Sequence, residues 1–377
     1  MNVLLLVLAF INVVIWAYYG LFLFSNLKNK PIFGGSDCSD NEIIYPSLSV
    51  IIPACNEEES IRQAISHLLD QDYPDFEVIV VNDRSTDHTG VVLEELKIKY
   101  PQLKVVNIAD LPPQWLGKNH AIYQGVKQAT GEWLLFTDAD IMFSPDSLKE
   151  TISYSLKNNL DHLTISPDIV HKGFFYGGFI SFFLLLATSL FLISKSAGIG
   201  AFNLIKRSTY QEIGGYEAIA MQPVDDLSLG KLVVRKGYKQ CFGFSKGLIS
   251  VKLYDNLFAM IKGIEKNQFA GTNYRVQRTL VFCFVMLLLN VYPFAGLFFG
   301  SGLARVLCGF SIIILAAIYN HSKKFIDVSL WHVLIHPISA LLYLWAVLNS
   351  MVKVLSRGGI EWRGTVYSLE ELKKHTL

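Results

Sequence analysis

The chain has 377 residues, of which 51% are hydrophobic and only 17% are charged, and its 33 Lys and Arg residues nearly balance its 32 Asp and Glu residues. A net charge of +1 excludes a basic field that grips nucleic acid, so we expect no nucleic-acid partner. Because soluble domains carry about 25% charged residues, this composition excludes a soluble or disordered protein and indicates that part of the chain faces lipid.

Residues 1–27 form the first predicted element, an N-terminal transmembrane anchor. They contain no charged side chain, and the stretch is long enough to cross about 30 Å of hydrocarbon. Lys28 and Lys30 follow it, whereas a signal peptide carries its basic residues before its apolar core. Since basic flanks favour the cytoplasm, the C-terminal end of the anchor is predicted to be cytoplasmic.

Residues 47–278 are predicted to form a cytoplasmic α/β domain with a mainly parallel sheet. Short apolar runs alternate here with stretches of helical periodicity, which is typical of this fold class. The predicted strands are 48–52, 76–81, 104–108 and 133–137, and the predicted helices are 57–70, 88–100, 119–129 and 227–235. Ligands of such sheets bind at the carboxyl ends of the strands, so we expect the functional site there.

Within this domain, residues 174–194 form an apolar stretch without a single charged side chain. Its length and composition are those of a transmembrane helix. Lys172 and Lys195 flank its two ends, so the charge bias gives no direction. We expect the segment to lie along the membrane interface or to pack on the domain as an apolar surface, and a full span is the alternative.

Residues 279–352 are predicted to contain the C-terminal transmembrane helices, and residues 353–377 form a cytoplasmic or interfacial tail. The charge-free stretches are 279–304, 306–322 and 328–352. The first two are separated by little more than Arg305, which predicts a tight hairpin of two spans.

The last of these stretches carries two histidines and a proline. His332 and His336 are four residues apart and could ligate a metal ion from one helix face. No carboxylate or cysteine accompanies them, so we expect them to form hydrogen bonds within the helix bundle, with Pro337 kinking the helix. Basic residues flank the stretch on both sides, so either the helix is re-entrant at Pro337 or one basic cluster is exported.

The strongest chemical signal is the pair of carboxylates Asp138 and Asp140, which follows the predicted strand 133–137. Residues i and i+2 of a strand point to the same side, so one divalent cation can bind both side chains. Carboxylate and phosphate oxygens favour Mg²⁺ or Mn²⁺. A lone D-x-D is expected about once by chance in a chain of this length, and a solvated turn is the alternative.

Further polar motifs follow one another along the chain. They are Pro53-Ala54-Cys55-Asn56-Glu57, Asn82-Asp83-Arg84-Ser85-Thr86-Asp87, Trp115-Leu116-Gly117-Lys118-Asn119, Ala201-Phe202-Asn203, Gly214-Gly215-Tyr216 and Asp225-Asp226. Their order and spacing across roughly residues 47–240 resembles the family 2 glycosyltransferases, with their GT-A nucleotide-sugar domain. The flanking apolar segments look like the membrane-bound branch, and the lysine motif with Glu361-Trp362-Arg363-Gly364 is similar to enzymes that glycosylate hopanoid or carotenoid-type lipids.

The resemblance implies a role for each motif. The residues that would line the base and ribose of a UDP- or GDP-sugar are Pro53, Ala54, Glu57 and Asp83. Lys118 would reach the diphosphate, Asp138 would contact ribose or metal, and Asp140 would bind the metal. Local alternatives exist, because Asp83 could cap a turn and Lys118 could be a solvated lysine at a helix start.

The acidic pair Asp225 and Asp226 matches the family's pair in which the second residue is the catalytic base. A carboxylate within hydrogen-bond reach can take the proton of an attacking hydroxyl, so Asp226 is the predicted base and Asp225 its orienting neighbour. Burial should raise the pKa of Asp226. Both residues could also simply begin the helix 227–235, which is compatible with this role.

The implied reaction is a metal-dependent inverting displacement that moves one sugar to a lipid or other membrane-associated acceptor. Processive synthases of this family carry a Q-x-x-R-W segment, and the corresponding residues 263–269 lack its Arg-Trp pair. Lys266 and Asn267 in this segment are candidate diphosphate or acceptor contacts, and Trp362 is expected to be an interfacial anchor. A processive polysaccharide synthase and a nucleotide-sensing membrane transport component remain the alternatives.

Overall fold

The structure is a computed structural model that describes residues 3–35, 43–265, 268–362 and 365–374. The chain divides into two compact units. An α/β unit is made of Pro31–Val170 and Phe191–Lys252, and a helical unit is made of Met1–Lys30, His171–Leu190 and Leu253–Thr376. Lys266 and Asn267 lie outside the described residues, and the side chain of Trp362 is not described either.

Strands and helices largely alternate through the α/β unit, whereas the helical unit is made mostly of helices. The strands are β1 Ile32–Phe33, β2 Leu48–Ala54, β3 Phe76–Asp83, β4 Leu103–Ile108, β5 Trp133–Phe136, β6 Met142–Phe143, β7 His162–Ser166, β8 Asp168–Ile169, β9 Asn203–Lys206, β10 Gln240–Ser245, β11 Ile249–Val251, β12 Gly359–Trp362 and β13 Thr365–Ser368. The α-helices are α1 Val3–Leu27, α2 Ile61–Leu69, α3 Thr89–Lys99, α4 Gly117–Gln128, α5 Ser147–Lys157, α6 Phe174–Ser194, α7 Arg207–Glu212, α8 Asp225–Arg235, α9 Leu257–Ile264, α10 Val276–Asn290, α11 Tyr292–Phe299, α12 Gly302–Ser322, α13 His336–Arg357 and α14 Leu369–Lys374.

An eight-stranded sheet forms the centre of the α/β unit, in the order β1-β10-β7-β9-β5-β2-β3-β4. Among the described strands of this sheet, β9 alone runs antiparallel to its neighbours. All seven residues of β2 are buried, as expected of a parallel strand that is covered on both faces. The mainly parallel α/β fold predicted from the sequence is therefore confirmed.

Helix α4 covers the strands that carry the candidate site. It packs so closely that a Cβ on Gly125 would lie 2.5 Å from Cγ2 of Ile51 in β2. Ile122 of the same helix joins Val81 and Phe136 in the buried core beneath it. This packing fixes the start of α4 next to the carboxyl ends of β2, β3 and β5.

In the helical unit, α1 and α12 run parallel to each other. Ala9 packs with Cys308, and the Cβ position of Gly20 lies 3.5 Å from Ile318. Near the ends of both helices, the rings of Phe24 and His321 lie 4.3 Å apart. The basic residues that follow each helix are therefore at the same end of the pair.

Four helices of the described chain are long and apolar enough to cross a membrane: Val3–Leu27, Phe174–Ser194, Gly302–Ser322 and Leu330–Arg357. Helices α10 and α11 together would make a fifth span, although they are bent by 44° at Val291. The stretch 279–304, predicted as one continuous span, is thus broken. Side chains of α1 bond to carbonyl groups just before the break, because Asn12 Nδ2 donates to Leu288 O at 2.7 Å and Trp16 Nε1 donates to Leu289 O at 3.0 Å.

The two histidines of the last apolar stretch form hydrogen bonds, as predicted. His332 Nδ1 lies 2.7 Å from Ser181 Oγ, and His336 lies 2.9 Å from both Tyr319 OH and Asn290 Oδ1. The kink predicted at Pro337 stays a prediction. A 3₁₀ helix precedes α13, and Pro337 occupies the first turn of α13, where its missing N–H breaks no helical hydrogen bond.

Two expectations about the domain boundary look different in the structure. Residues 253–278, predicted as part of the α/β domain, group with the helical unit, so the α/β unit ends at Lys252. The apolar stretch 174–194 is a single helix whose first part belongs to the helical unit, where Ser189 bonds to Tyr19. Its placement along the membrane interface stays a prediction.

Candidate active site

Three parallel strands bring the predicted nucleotide residues to one edge of the sheet. β2 pairs with β3 on one side and with β5 on the other, and all three run in the same direction. Pro53 and Ala54 end β2, Asp83 ends β3, and Asp138 and Asp140 follow β5 directly. The sheet therefore gathers these five residues at its carboxyl edge, where we expected the site.

Lys118 links this edge to the acidic pair of α8. Its Nζ lies 2.7 Å from Oδ1 of Asp138 and 3.9 Å from Oδ1 of Asp225. Burial lowers the pKa of Lys118, but Asp138, Asp225 and Asp226 together outweigh burial and raise it, so the ammonium stays charged. The structure thus joins Lys118 and Asp138 to Asp225, which follows Lys118 by more than 100 positions in sequence.

Asp225 and Asp226 form the first turn of α8 and hold different partners. Oδ2 of the buried Asp225 accepts a hydrogen bond from Tyr216 OH at 3.0 Å. Asp226 accepts one backbone N–H at each oxygen, from Gly200 at 2.8 Å and from Leu227 at 2.7 Å. Asp225 and Asp226 therefore both begin α8 and form the acid pair, and the sequence had allowed for both roles.

Asp226 and Asp140 both have raised pKa values. Burial is the main cause at Asp226, followed by the charge of Asp225, and together they raise its pKa to about 7. Burial also dominates at Asp140, where the charges of Asp138 and Glu57 help to raise the pKa to about 6. Burial thus causes most of both shifts, and the neighbouring carboxylates add to it although the ammonium of Lys118 acts in the opposite direction.

The acids at the end of β5 fit a divalent cation that a bound ligand helps to coordinate. Within the described part of the chain, no group of three or more His, Cys, Asp or Glu side chains could hold a metal ion. Mg²⁺ and Mn²⁺ sites at phosphates need only one or two carboxylates, because phosphate and water oxygens complete the shell. The raised pKa of Asp140 marks a position where added positive charge would be stabilising.

Asp83 has a partner in the structure, the neighbouring Arg84. Its buried carboxylate accepts two hydrogen bonds from the guanidinium of Arg84, from Nε at 2.8 Å and from Nη2 at 3.0 Å. This ion pair lies against the start of α4, since a Cβ on Gly117 would be 2.6 Å from Arg84 and 2.7 Å from Asp83. Its contact with a nucleotide base stays a prediction, and Arg84 is a neighbour that sequence reasoning did not single out.

Two more residues at the site were not assigned a role from the sequence. Tyr216 belongs to a motif that we had noted without a function, and its hydroxyl bonds to Asp225. Gly200 bonds to Asp226, and a Cβ there would lie 2.6 Å from Asp138 Oδ2. The closely spaced glycines at 198 and 200 are a sequence signal that could have pointed to this close approach.

The chain is similar to known glycosyltransferases in sequence and in fold. Residues 49–214 match the family model described as glycosyl transferase family 2. The chain is 24% identical over 345 residues to the 4,4'-diaponeurosporenoate glycosyltransferase of Staphylococcus aureus strain USA300, and the match covers 87% of this chain and 90% of that protein. In fold it is similar to the mannosyltransferase PcManGT from Pyrobaculum calidifontis, solved in complex with GDP-Man and Mn²⁺. That similarity has a TM-score of 0.52 at 19% identity and covers 93% of this chain and 99% of the other.

Proposed function

We propose that the chain transfers a single sugar from a UDP- or GDP-sugar to a lipid acceptor, because residues 49–214 match glycosyl transferase family 2 and the α/β unit has the GT-A fold. One observation carries the proposal. The ammonium of Lys118, 2.7 Å from Asp138 and 3.9 Å from Asp225, stands between the acids assigned to the donor and those assigned to the acceptor. A diphosphate that reaches Lys118 would have its sugar next to Asp226.

The chemistry is one in-line displacement. The acceptor hydroxyl gives its proton to Asp226, and its oxygen forms a bond to the anomeric carbon of the donor sugar. The bond between that carbon and the diphosphate oxygen breaks at the same time, so the nucleoside diphosphate leaves and the configuration inverts. Lys118 offsets the charge that develops on the diphosphate, and Asp225, held by Tyr216, keeps the acid pair oriented.

Asp140 and Asp138 would hold a divalent cation, Mg²⁺ or Mn²⁺. A cation of this kind acts as a Lewis acid that stabilises the negative charge of the leaving diphosphate. The acidity of the site supports the assignment, because burial and the charges of Asp138 and Glu57 raise the pKa of Asp140. Pro53, Ala54, Glu57 and Asp83 would then line the base and ribose.

The helical unit supports a membrane location and a lipid acceptor. Four described helices are long and apolar enough to span, and a relative that aligns along 87% of the chain is named as the glycosyltransferase of a carotenoid acid. The basic residues after α1 and α12 lie at one end of this parallel pair, and the α/β unit begins directly after the first of them. By the positive-inside rule, we assign this end, and the α/β unit with it, to the cytoplasm.

Transfer in membrane vesicles tests the proposal. Vesicles from cells that contain the chain, and from matched cells that lack it, are given UDP-glucose, UDP-N-acetylglucosamine or GDP-mannose with Mn²⁺ or Mg²⁺. We expect one donor to yield a lipid whose mass rises by a single sugar residue, and we expect EDTA to abolish the product. Long polymer would favour the processive synthase instead, and nucleotide binding without any transfer to lipid would contradict the proposal.

A further inference from the structure

Residues 197–200, a short segment before β9, lie directly against the proposed base. Gly200 N–H donates to Asp226 Oδ2 at 2.8 Å, and a Cβ on Gly198 would lie only 1.8 Å from the carbonyl oxygen of Asp226. On its other side, a Cβ on Gly200 would lie 2.6 Å from Asp138 Oδ2. The backbone of this segment therefore sets both the orientation of the Asp226 carboxylate and its separation from Asp138.

The side chain of Gln240, at the start of β10, anchors the other end of the segment. Its Oε1 accepts from Ala197 N–H at 2.7 Å, and its Nε2 lies 3.2 Å from the carbonyl oxygen of Gly230 in α8. The two backbones meet at this point, since a Cβ on Gly230 would be 1.9 Å from the carbonyl oxygen of Ala197. Gln240 thus ties the segment to the helix whose first turn carries Asp226.

His162, fully buried in β7, fixes the amide of Gln240 from behind. Ala197 N–H requires an oxygen, so the other atom facing His162 Nδ1 at 2.8 Å is the amide nitrogen, which donates. The imidazole proton is then on Nε2, which donates to Asn203 Oδ1. Burial lowers the pKa of His162 to about 4, so the ring stays neutral. Each hydrogen bond from Ala197 through Gln240 and His162 to Asn203 therefore has a defined direction.

We propose that Gln240 is a positioning residue for catalysis, which holds residues 197–200 so that Gly200 N–H orients the carboxylate of Asp226 toward the acceptor hydroxyl. This inference rests on the proposed role of Asp226 as the base. In the described part of the chain, the side chain of Gln240 bonds to Ala197, Gly230 and His162, whereas the ion pair of Lys118 and Asp138 is reached only through the backbone at Gly200. Because the hydrogen bond of this segment goes to Asp226, the loss of Gln240 should reduce turnover much more than donor binding.

The test is a comparison of kcat and donor KM among purified full-length variants, with the nucleotide sugar that supports transfer and extracted membrane lipid as acceptor. Gln240→Met keeps the side-chain length and removes all three hydrogen bonds. A misplacement of about 1 Å at a reacting group can lower the rate about 100-fold, so we expect kcat to fall about 10- to 100-fold with donor KM within about twofold. Gln240→Asn withdraws the amide by one methylene group, and we expect it to lower kcat about tenfold. It replaces Gln240→Met in the test if that variant does not fold.

Gln71 provides the matched control. Its buried amide also bridges three backbone groups of the α/β unit, donating to Ser144 O at 2.6 Å and to His67 O at 3.2 Å and accepting from Leu148 N–H at 3.2 Å. None of these partners touches Asp226. We expect Gln71→Met to lose comparable stability and to keep the wild-type kcat per folded molecule.

Three outcomes would overturn the inference. Gln240→Met could turn over as fast as Gln71→Met, it could lose donor binding and turnover together, or Gln240→Asn could keep the wild-type kcat. Asp226→Asn, measured beside them, separates this failure from that of the proposed function. If Asp226→Asn is inactive and Gln240→Met is normal, the positioning role alone is wrong, whereas a fully active Asp226→Asn removes the base assignment itself.

Discussion

Both units bury polar side chains, but they pair them in opposite ways. In the α/β unit, three aspartates surround the single ammonium of Lys118, and the pKa of Asp226 is raised to about 7 by burial and by its acidic neighbour. In the helical unit, both ring nitrogens of His336 have a partner at 2.9 Å, namely Tyr319 OH and Asn290 Oδ1. One cluster holds excess charge and the other is neutral and closed.

This difference indicates which cluster carries chemistry. A neutral network in which every polar group is hydrogen-bonded stabilises packing without a ligand. Uncompensated buried charge lowers stability, so it is typical of sites where a ligand binds or a reaction takes place. A buried histidine among apolar helices is a functional candidate by default, but here its partners come from α10 and α12 and join three helices. We therefore assign catalysis to the acidic cluster and helix packing to the cluster around His336.

The largest expected effect is at the proposed base. Asp226→Asn keeps the shape and can accept only one of the two backbone hydrogen bonds, and it cannot take a proton, so we expect kcat for transfer to fall about 10²- to 10⁴-fold. Asp161→Asn is the control, since that carboxylate pairs with Lys206 at 3.0 Å in the same unit. Equal losses in the two variants would mean that the effect is structural, and the contrast between the clusters would lose its basis.

The pH dependence of kcat/KM sharpens the same contrast. Asp226 must be deprotonated to act, and its pKa of about 7 means that the active form disappears as the pH falls below that value. We expect about a tenfold loss per pH unit on the acid side of pH 7, measured with saturating metal ion. A profile that stays flat down to pH 5 would show that no buried carboxylate of this kind limits the reaction.

Much of the acidic cluster was predictable from the sequence because strand ends are local features. Apolar runs placed Asp83, Asp138 and Asp140 at the ends of parallel strands, and such strands end at one edge of a sheet. The acidic pair at the start of α8 followed from its position before a helical pattern. Lys118 of α4 joins these parts, because its ammonium contacts both Asp138 and Asp225. This contact depends on tertiary packing and could be seen only in the structure.

The helical unit was harder to predict because its contacts link distant residues of similar composition. Pro293 in the first turn of α11 lacks the N–H that would bond to Leu289 O, but the α1 side chains that donate to Leu288 O and Leu289 O are more than 270 residues away. Residues 253–278, which the sequence pattern grouped with the α/β domain, pack with the helical unit through contacts of the same kind. Glu265 there bonds to Asn349 and pairs with Lys353, and one sequence cannot reveal such partners.

At His336 we expect a loss of stability without a loss of catalytic turnover. His336→Leu leaves Asn290 Oδ1 and Tyr319 OH buried without this partner, which should lower the free energy of unfolding by about 1–3 kcal/mol. Thermal unfolding in detergent measures the change, and kcat per folded molecule should stay within about twofold. Adding Asn290→Leu should recover part of the loss, because an unpaired buried acceptor is then removed. A large fall in kcat with unchanged stability would place His336 in the catalytic machinery.

The smallest expected effect is at Tyr216, the hydroxyl that donates to Asp225 Oδ2 at 3.0 Å. Without it, Asp225 depends more on Lys118, 3.9 Å away, and the ammonium is drawn from the diphosphate toward the acid pair. We expect Tyr216→Phe to lower kcat about fivefold, which corresponds to about 1 kcal/mol, the usual contribution of one hydrogen bond. Tyr73→Phe is the control, since that buried hydroxyl donates to Pro46 O at 2.6 Å away from the acids. If both variants keep full activity, Asp225 is oriented by the start of α8 alone, and the acidic cluster needs no support from the core beneath it.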